Sequence, residues 1–83
     1  MKNCLITFRS VTPAQRGEGV LRRAGVECEL RRTPRWMEEQ GCGYSLRLRQ
    51  VDGARAASVL RRSGIPFRKV YLEKENALEE LPV

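Results

Sequence analysis

The sequence predicts an α+β sandwich of βαββαβ order, a four-stranded antiparallel sheet with two helices on one face. Two observations lead there. Val20-Leu21-Arg22-Arg23-Ala24-Gly25-Val26 recurs 39 residues later as Val59-Leu60-Arg61-Arg62-Ser63-Gly64-Ile65. Upstream of each copy stands a period-two apolar series, Cys4, Ile6, Phe8 in one half and Tyr44, Leu46, Leu48 in the other, the pattern of a strand with one buried face. Each half therefore reads as a strand, a helix and a closing strand. Two such units with right-handed crossovers combine into the ferredoxin-like arrangement.

In chain order, the first strand leads to a helix for which Thr12 is the expected N-cap, Pro13 suits the first helical position and Gln15 completes a capping-box pattern. Ala14, Gly17, Val20, Leu21 and Ala24 fall on one helical face, and Gly25 ends the helix. Gly17 and Gly19 each cost about 1 kcal/mol relative to Ala, so they imply close backbone packing or a locally weak helix. Val26, Cys28 and Leu30 alternate with Glu27, Glu29 and Arg31 in the second strand. The third strand is the Tyr44 series. Asp52 is the N-cap expected for the second helix, whose face is Ala56, Val59, Leu60 and Ser63 and whose terminator is Gly64. Ile65, Phe67, Val70 and Leu72 mark a closing strand with one irregularity in phase.

Residues 1–72 are expected to form this domain, and 73–83 an acidic C-terminal tail. In the tail Ala77, Leu78 and Leu81 have helical spacing before Pro82, and its composition suits a disordered segment equally. Residues 32–43 link the halves, and a link of that length without its own structure is often functional.

Bulk properties narrow the function. Eighty-three residues suffice for one domain. The 41% hydrophobic and 31% charged composition is that of a globular chain, and no apolar run approaches the roughly 20 residues of a membrane helix. Met1 to Arg9 lacks the apolar core and cleavage site of a secretory signal, so the expected location is the cytoplasm. Histidine is absent, which excludes Ser/His/Asp triads, Cys/His pairs and His-ligated metals; no cofactor or metal is expected. The net charge of +6 is uneven. Residues 1–72 hold fifteen Lys and Arg against six Asp and Glu, while the tail sets Lys74 against Glu73, Glu75, Glu79 and Glu80. Such a basic body steers encounters with nucleic acid, acidic proteins or small anions without specifying which.

Three cysteines without Cys-x-x-Cys spacing argue against a disulfide framework. Cys4 and Cys28 share strand phase with large aliphatic residues and read as small buried hydrophobes. Cys42 differs, because Gly41 and Gly43 flank it at the end of the link. Arg31, Arg32 and Arg35 lie earlier in the same stretch, and cations favour thiolate over thiol, although Glu38 and Glu39 oppose them from closer in sequence. Cys42 is thus the candidate nucleophile.

Thr33-Pro34-Arg35, followed by Gly41-Cys42-Gly43 and the alternating Tyr44-Ser45-Leu46-Arg47-Leu48, resembles the Se/S carrier protein-like family over residues 2–72. These are small bacterial domains with a Pro-Arg element and a Cys-Gly at the start of the third strand. Pro34, Arg35, Cys42 and Gly43 match that pattern, whereas Trp36-Met37-Glu38-Glu39-Gln40 departs from the small and hydroxyl residues usual between them. The resemblance implies a carrier of sulfur or selenium rather than a stand-alone enzyme. Its partners would be a cysteine desulfurase or other donor and an acceptor protein, and its cargo would sit on Cys42. Arg35 would stabilise the anionic adduct, Arg31 or Arg32 would supply a second cation, and Pro34 would stiffen the loop.

Two rival classes share the fold. A nucleic-acid-binding module would use the basic body, but the central strands offer Phe8 and Tyr44 in core phase rather than as a stacking platform, so binding would be weak. Arg47 and Arg49 lie on the opposite phase with Ser45, facing solvent or phosphate. A ligand-sensing or protein-docking module, including a homodimer, would use Trp36 and Met37 as an anchor, unless these fold back onto the core.

Overall fold

The computed structural model describes residues 3–32, 43–74 and 77–81. Strand β1 (Asn3–Phe8) leads into helix α1 (Val11–Arg23), β2 (Cys28–Arg32) and β3 (Tyr44–Arg49). A short 3-10 turn (Gln50–Asp52) then precedes α2 (Gly53–Arg62), β4 (Val70–Lys74) and β5 (Ala77–Leu81). The sheet order is β2-β3-β1-β4-β5 with every neighbouring pair antiparallel.

The first four strands follow the expected ferredoxin-like order, but the sheet has five strands rather than four. The tail supplies the fifth: Ala77–Leu81 pairs with β4, Val70 facing Leu81 and Lys74 facing Ala77. It is neither the helix nor the disordered segment that its spacing and composition suggest. The ion pair Lys69–Glu80 at 3.2 Å sets one of its acidic residues against the basic body, and Lys74–Glu79 forms within the tail itself. Ala77 and Leu81, four residues apart, fall on one side of a strand, and pairing with β4 decides the conformation.

Cross-strand register explains the core. Cys4, Ile6 and Phe8 face Leu48, Leu46 and Tyr44, and Cys28 and Leu30 continue the same rows on β2. Onto this face pack Ala14 and Leu21 of α1 and Ala56 and Leu60 of α2. Leu21, Leu60, Ile6 and Phe8 are fully buried, each side chain contributing about 1.5–3 kcal/mol of apolar burial. Gly17 has the close-packing explanation: a Cβ there would stand 3.1 Å from Leu60 Cδ2 and 3.3 Å from Phe8 Cζ, whereas one on Gly19 would meet nothing within 4 Å.

The repeated Gly25 and Gly64 end both helices in the left-handed region, at φ +82° and +70°. Val26 N–H donates to Leu21 C=O and Gly25 N–H to Arg22 C=O, and Ile65 and Gly64 bond Leu60 and Arg61 in the same way. Both ends are therefore Schellman motifs, with an apolar residue after the glycine buried against the last helical turn. This accounts for Ile65, which caps α2 rather than opening a strand, and for a closing strand that starts only at Val70. The phase irregularity before Val70 is where Thr7 faces two residues. Thr7 N–H donates to Lys69 C=O and Arg68 N–H to Thr7 C=O, while Lys69 N–H donates to Thr7 Oγ1 at 3.1 Å, the two-against-one bonding of a β-bulge.

The helix starts correct the capping expectation. Ser10, not Thr12, is the N-cap of α1, and Pro13 stands two residues further in, still within the first turn where its missing N–H costs nothing. Asp52 is the N-cap of α2, but its carboxylate makes no cap bond and accepts from Arg49 instead.

Candidate functional site

Four of the six site residues expected from the sequence, Pro34, Arg35, Gly41 and Cys42, lie outside the described residues, as do Trp36 and Met37. The other two border the segment that carries them. Arg32 is the last residue of β2 and exposed, and Gly43 is buried immediately before β3.

Register fixes where that segment leaves and rejoins the sheet. Arg32 pairs with Tyr44, and Tyr44 pairs with Phe8, so the ends of β2 and β1 and the start of β3 form one cross-strand row. Two residues beyond Phe8 is Ser10, the N-cap of α1; two residues before Tyr44 is Cys42. The first turn of α1 has no side-chain cap bond and no acidic residue, leaving the positive end of its dipole uncompensated from within the helix. Arg9 follows β1 at this end, and Arg68 is tied to Thr7 one row in. Arg32 thus lies in the row from which the chain continues after the link, and Arg9 directly follows Phe8 of that row in the sequence.

The two described thiols sit elsewhere, in inert surroundings. Cys4 pairs with Leu48 and Leu48 with Cys28, so both lie in a single row with Leu48 between them. Four residues of strand, about 13 Å, separate that row from the one at Tyr44. Cys4 is fully buried against Gly53, and its thiol donates weakly to Arg49 C=O at 3.9 Å. Burial, with a smaller contribution from Asp52, pushes its pKa up to about 11. Cys28 is partly buried, donating to Glu18 C=O at 4.0 Å. Its pKa is raised by burial and then by Glu18, with Arg22 pulling the other way. Neither holds an appreciable thiolate fraction at neutral pH.

The arginines of β3 are engaged within the fold. Arg47 reaches over β1 to make a two-bond fork with Glu73, both N–O distances 3.1 Å, and Arg49 bonds Asp52 at 3.4 Å. Ser45, on the same phase, is buried with Oγ against Arg31 C=O. The face away from the helices therefore offers fewer free cations than the sequence suggests. Glu73 as the partner of Arg47 has no signal in the sequence, because the contact spans 26 residues and an intervening strand. The row that joins Arg32, Tyr44 and Phe8 was also missed; it follows from strand register, which spacing alone does not set. No helix among the described residues is long and apolar enough to cross a membrane, and no cluster of three metal-ligating side chains occurs among them.

Comparison with known proteins adds one finding. No curated protein and no solved structure matches the chain. A family described as "Putative Se/S carrier protein-like" matches residues 3–72, from the first residue of β1 to the middle of β4. The chain belongs to the Se/S carrier protein-like family.

Proposed function

We propose that the protein accepts a sulfur or selenium atom on Cys42, holds it as a persulfide or perselenide, and delivers it to a separate enzyme. The observation that carries this reading is family membership over residues 3–72. Two features support Cys42 as the site. The other two thiols are held protonated, and Tyr44, two residues after Cys42, pairs with Phe8, two residues before the α1 N-cap Ser10.

In loading, the Cys42 thiolate attacks the terminal sulfur of a donor persulfide. A new S–S bond forms, the donor's S–S bond breaks, and its electron pair leaves with the donor thiolate, so no external oxidant or reductant enters. Discharge repeats the exchange with an acceptor thiolate. Arg35, with Arg32 at the end of β2, would favour the anionic adduct by charge-assisted hydrogen bonds. Gly41 and Gly43 would leave the sulfur accessible to a donor, and Pro34 would restrict the backbone before Arg35. The reaction belongs to the partners, and the chain is a carrier rather than an enzyme.

The test is a two-stage transfer. Incubation with a cysteine desulfurase and cysteine, then desalting, should add the mass of one sulfur atom, and an acceptor thiol should remove it. Protein that stays unmodified, or that loads and never discharges, contradicts carriage.

A further inference from the structure

We infer that the outer edge of β2 is a self-pairing edge, at which two copies of the chain join their sheets about a two-fold axis through Leu30. The inference is independent of the cargo assigned to Cys42. β2 ends the sheet at one side, and among the described residues no strand pairs with its outer edge. Such an edge presents a row of backbone donors and acceptors that templates another strand.

The sequence of the strand selects the occupant. In Cys28-Glu29-Leu30-Arg31-Arg32, antiparallel pairing about Leu30 sets Leu30 against its own copy, and sets Glu29 of each chain against Arg31 of the other, twice by symmetry. Glu29 and Arg31 lie on the face away from the helices, opposite Arg47 and Ser45 of β3. Their side chains are 61% and 51% exposed, and within one chain they form an ion pair at 3.1 Å, so pairing exchanges two exposed contacts, one in each chain, for two cross-strand ones. Leu30, packed at the margin of the core, would cover its exposed side against its twin. Moving the axis to Glu29 or to Arg31 opposes like charges directly. Shifting it by half a register sets Glu29 against Leu30 or Leu30 against Arg31 and puts the two helix layers on opposite faces. Only the Leu30 axis keeps the helix layers together and matches charge.

The other edge behaves differently. Two copies of β5 pairing antiparallel about Glu79 or Glu80 would set acid against acid, and Glu79 and Glu80 are held by Lys74 and Lys69. This is a sheet edge protected by charge. Pairing β2 with β5 of another copy is head-to-tail and would give a ring or a filament rather than a two-fold dimer.

The experiment measures oligomeric state by sedimentation equilibrium across a concentration series, with circular dichroism to check folding. Wild type should form a dimer that stops at two copies and weakens at high salt. Glu29→Arg, which sets Arg against Arg31 at both symmetric positions, should weaken association about tenfold or more. Adding Arg31→Glu to that variant should restore it, because the reversed pairs are again complementary. A wild type that remains monomeric at millimolar concentration overturns the inference. So does a mass that grows without limit, or a double variant that associates no better than the single one.

Discussion

Desolvation of Cys4 links a single side chain to the pH dependence of the whole fold. Its pKa of about 11 in the folded state lies above the 9.0 of an unperturbed thiol, so the native state retains a proton that the unfolded chain gives up. The stabilisation is fully present below pH 9 and is lost as pH rises toward 11, because the unfolded state then binds fewer protons. A two-unit shift corresponds to about 2–3 kcal/mol. Denaturant melts at pH 8 and pH 11 should show wild type losing about that much more stability than Cys4→Ala; equal losses would mean that Cys4 ionises freely in the fold. The glycines of α1 make a second contrast. Gly19→Ala fills open space and should stabilise by about 0.5–1 kcal/mol. Gly17→Ala drives a methyl toward Leu60 and Phe8, and should destabilise by about 1–3 kcal/mol. Thermal melts of the two variants should shift in opposite directions.

Among the elements, legibility divides along the line between local and tertiary causes. The Gly25 and Gly64 stops were readable because a Schellman motif needs a residue at positive φ followed by an apolar one, and both requirements lie within one short stretch of sequence. β1 and β3 were readable because their large apolar residues alternate in the sequence, although Leu5, Thr7 and Ser45 on the other face are buried as well. The fifth strand was not, because Ala77–Leu81 takes its conformation from β4 rather than from its own pattern. The two-against-one bonding at Thr7 is likewise a cross-strand event that left only a phase slip in the sequence. At the candidate site, the row that joins Arg32, Tyr44 and Phe8 depended on register and left no signal in the spacing, while Gly41 and Cys42 lie outside the described residues. Because β5 pairs only with β4, deleting residues 77–83 should leave a cooperatively folding four-stranded domain, less stable by about 1–3 kcal/mol through lost ladder bonds and ion pairs. Loss of cooperative melting in that truncation would show that the fifth strand is essential to the core. A larger deletion that also removes Glu73 is a harsher test, since it breaks the Arg47 fork.

Across the whole molecule, the two ends of the sheet carry different residues. One end holds Cys4, Cys28 and the bonded pair Arg49–Asp52. At the other end, Arg32 and Tyr44 pair in one row with Phe8, two residues before the α1 N-cap Ser10. The family match covers both ends, and the proposed chemistry needs only the second. The most direct test is peptide mapping by mass spectrometry after the protein has been loaded from a persulfide donor and its remaining thiols blocked with iodoacetamide. The additional sulfur should appear on Cys42 alone, with Cys4 and Cys28 unmodified by donor, and Cys42→Ser should not load. Sulfur found on Cys4 or Cys28 in wild type, or a Cys42→Ser variant that loads as well as wild type, would contradict it.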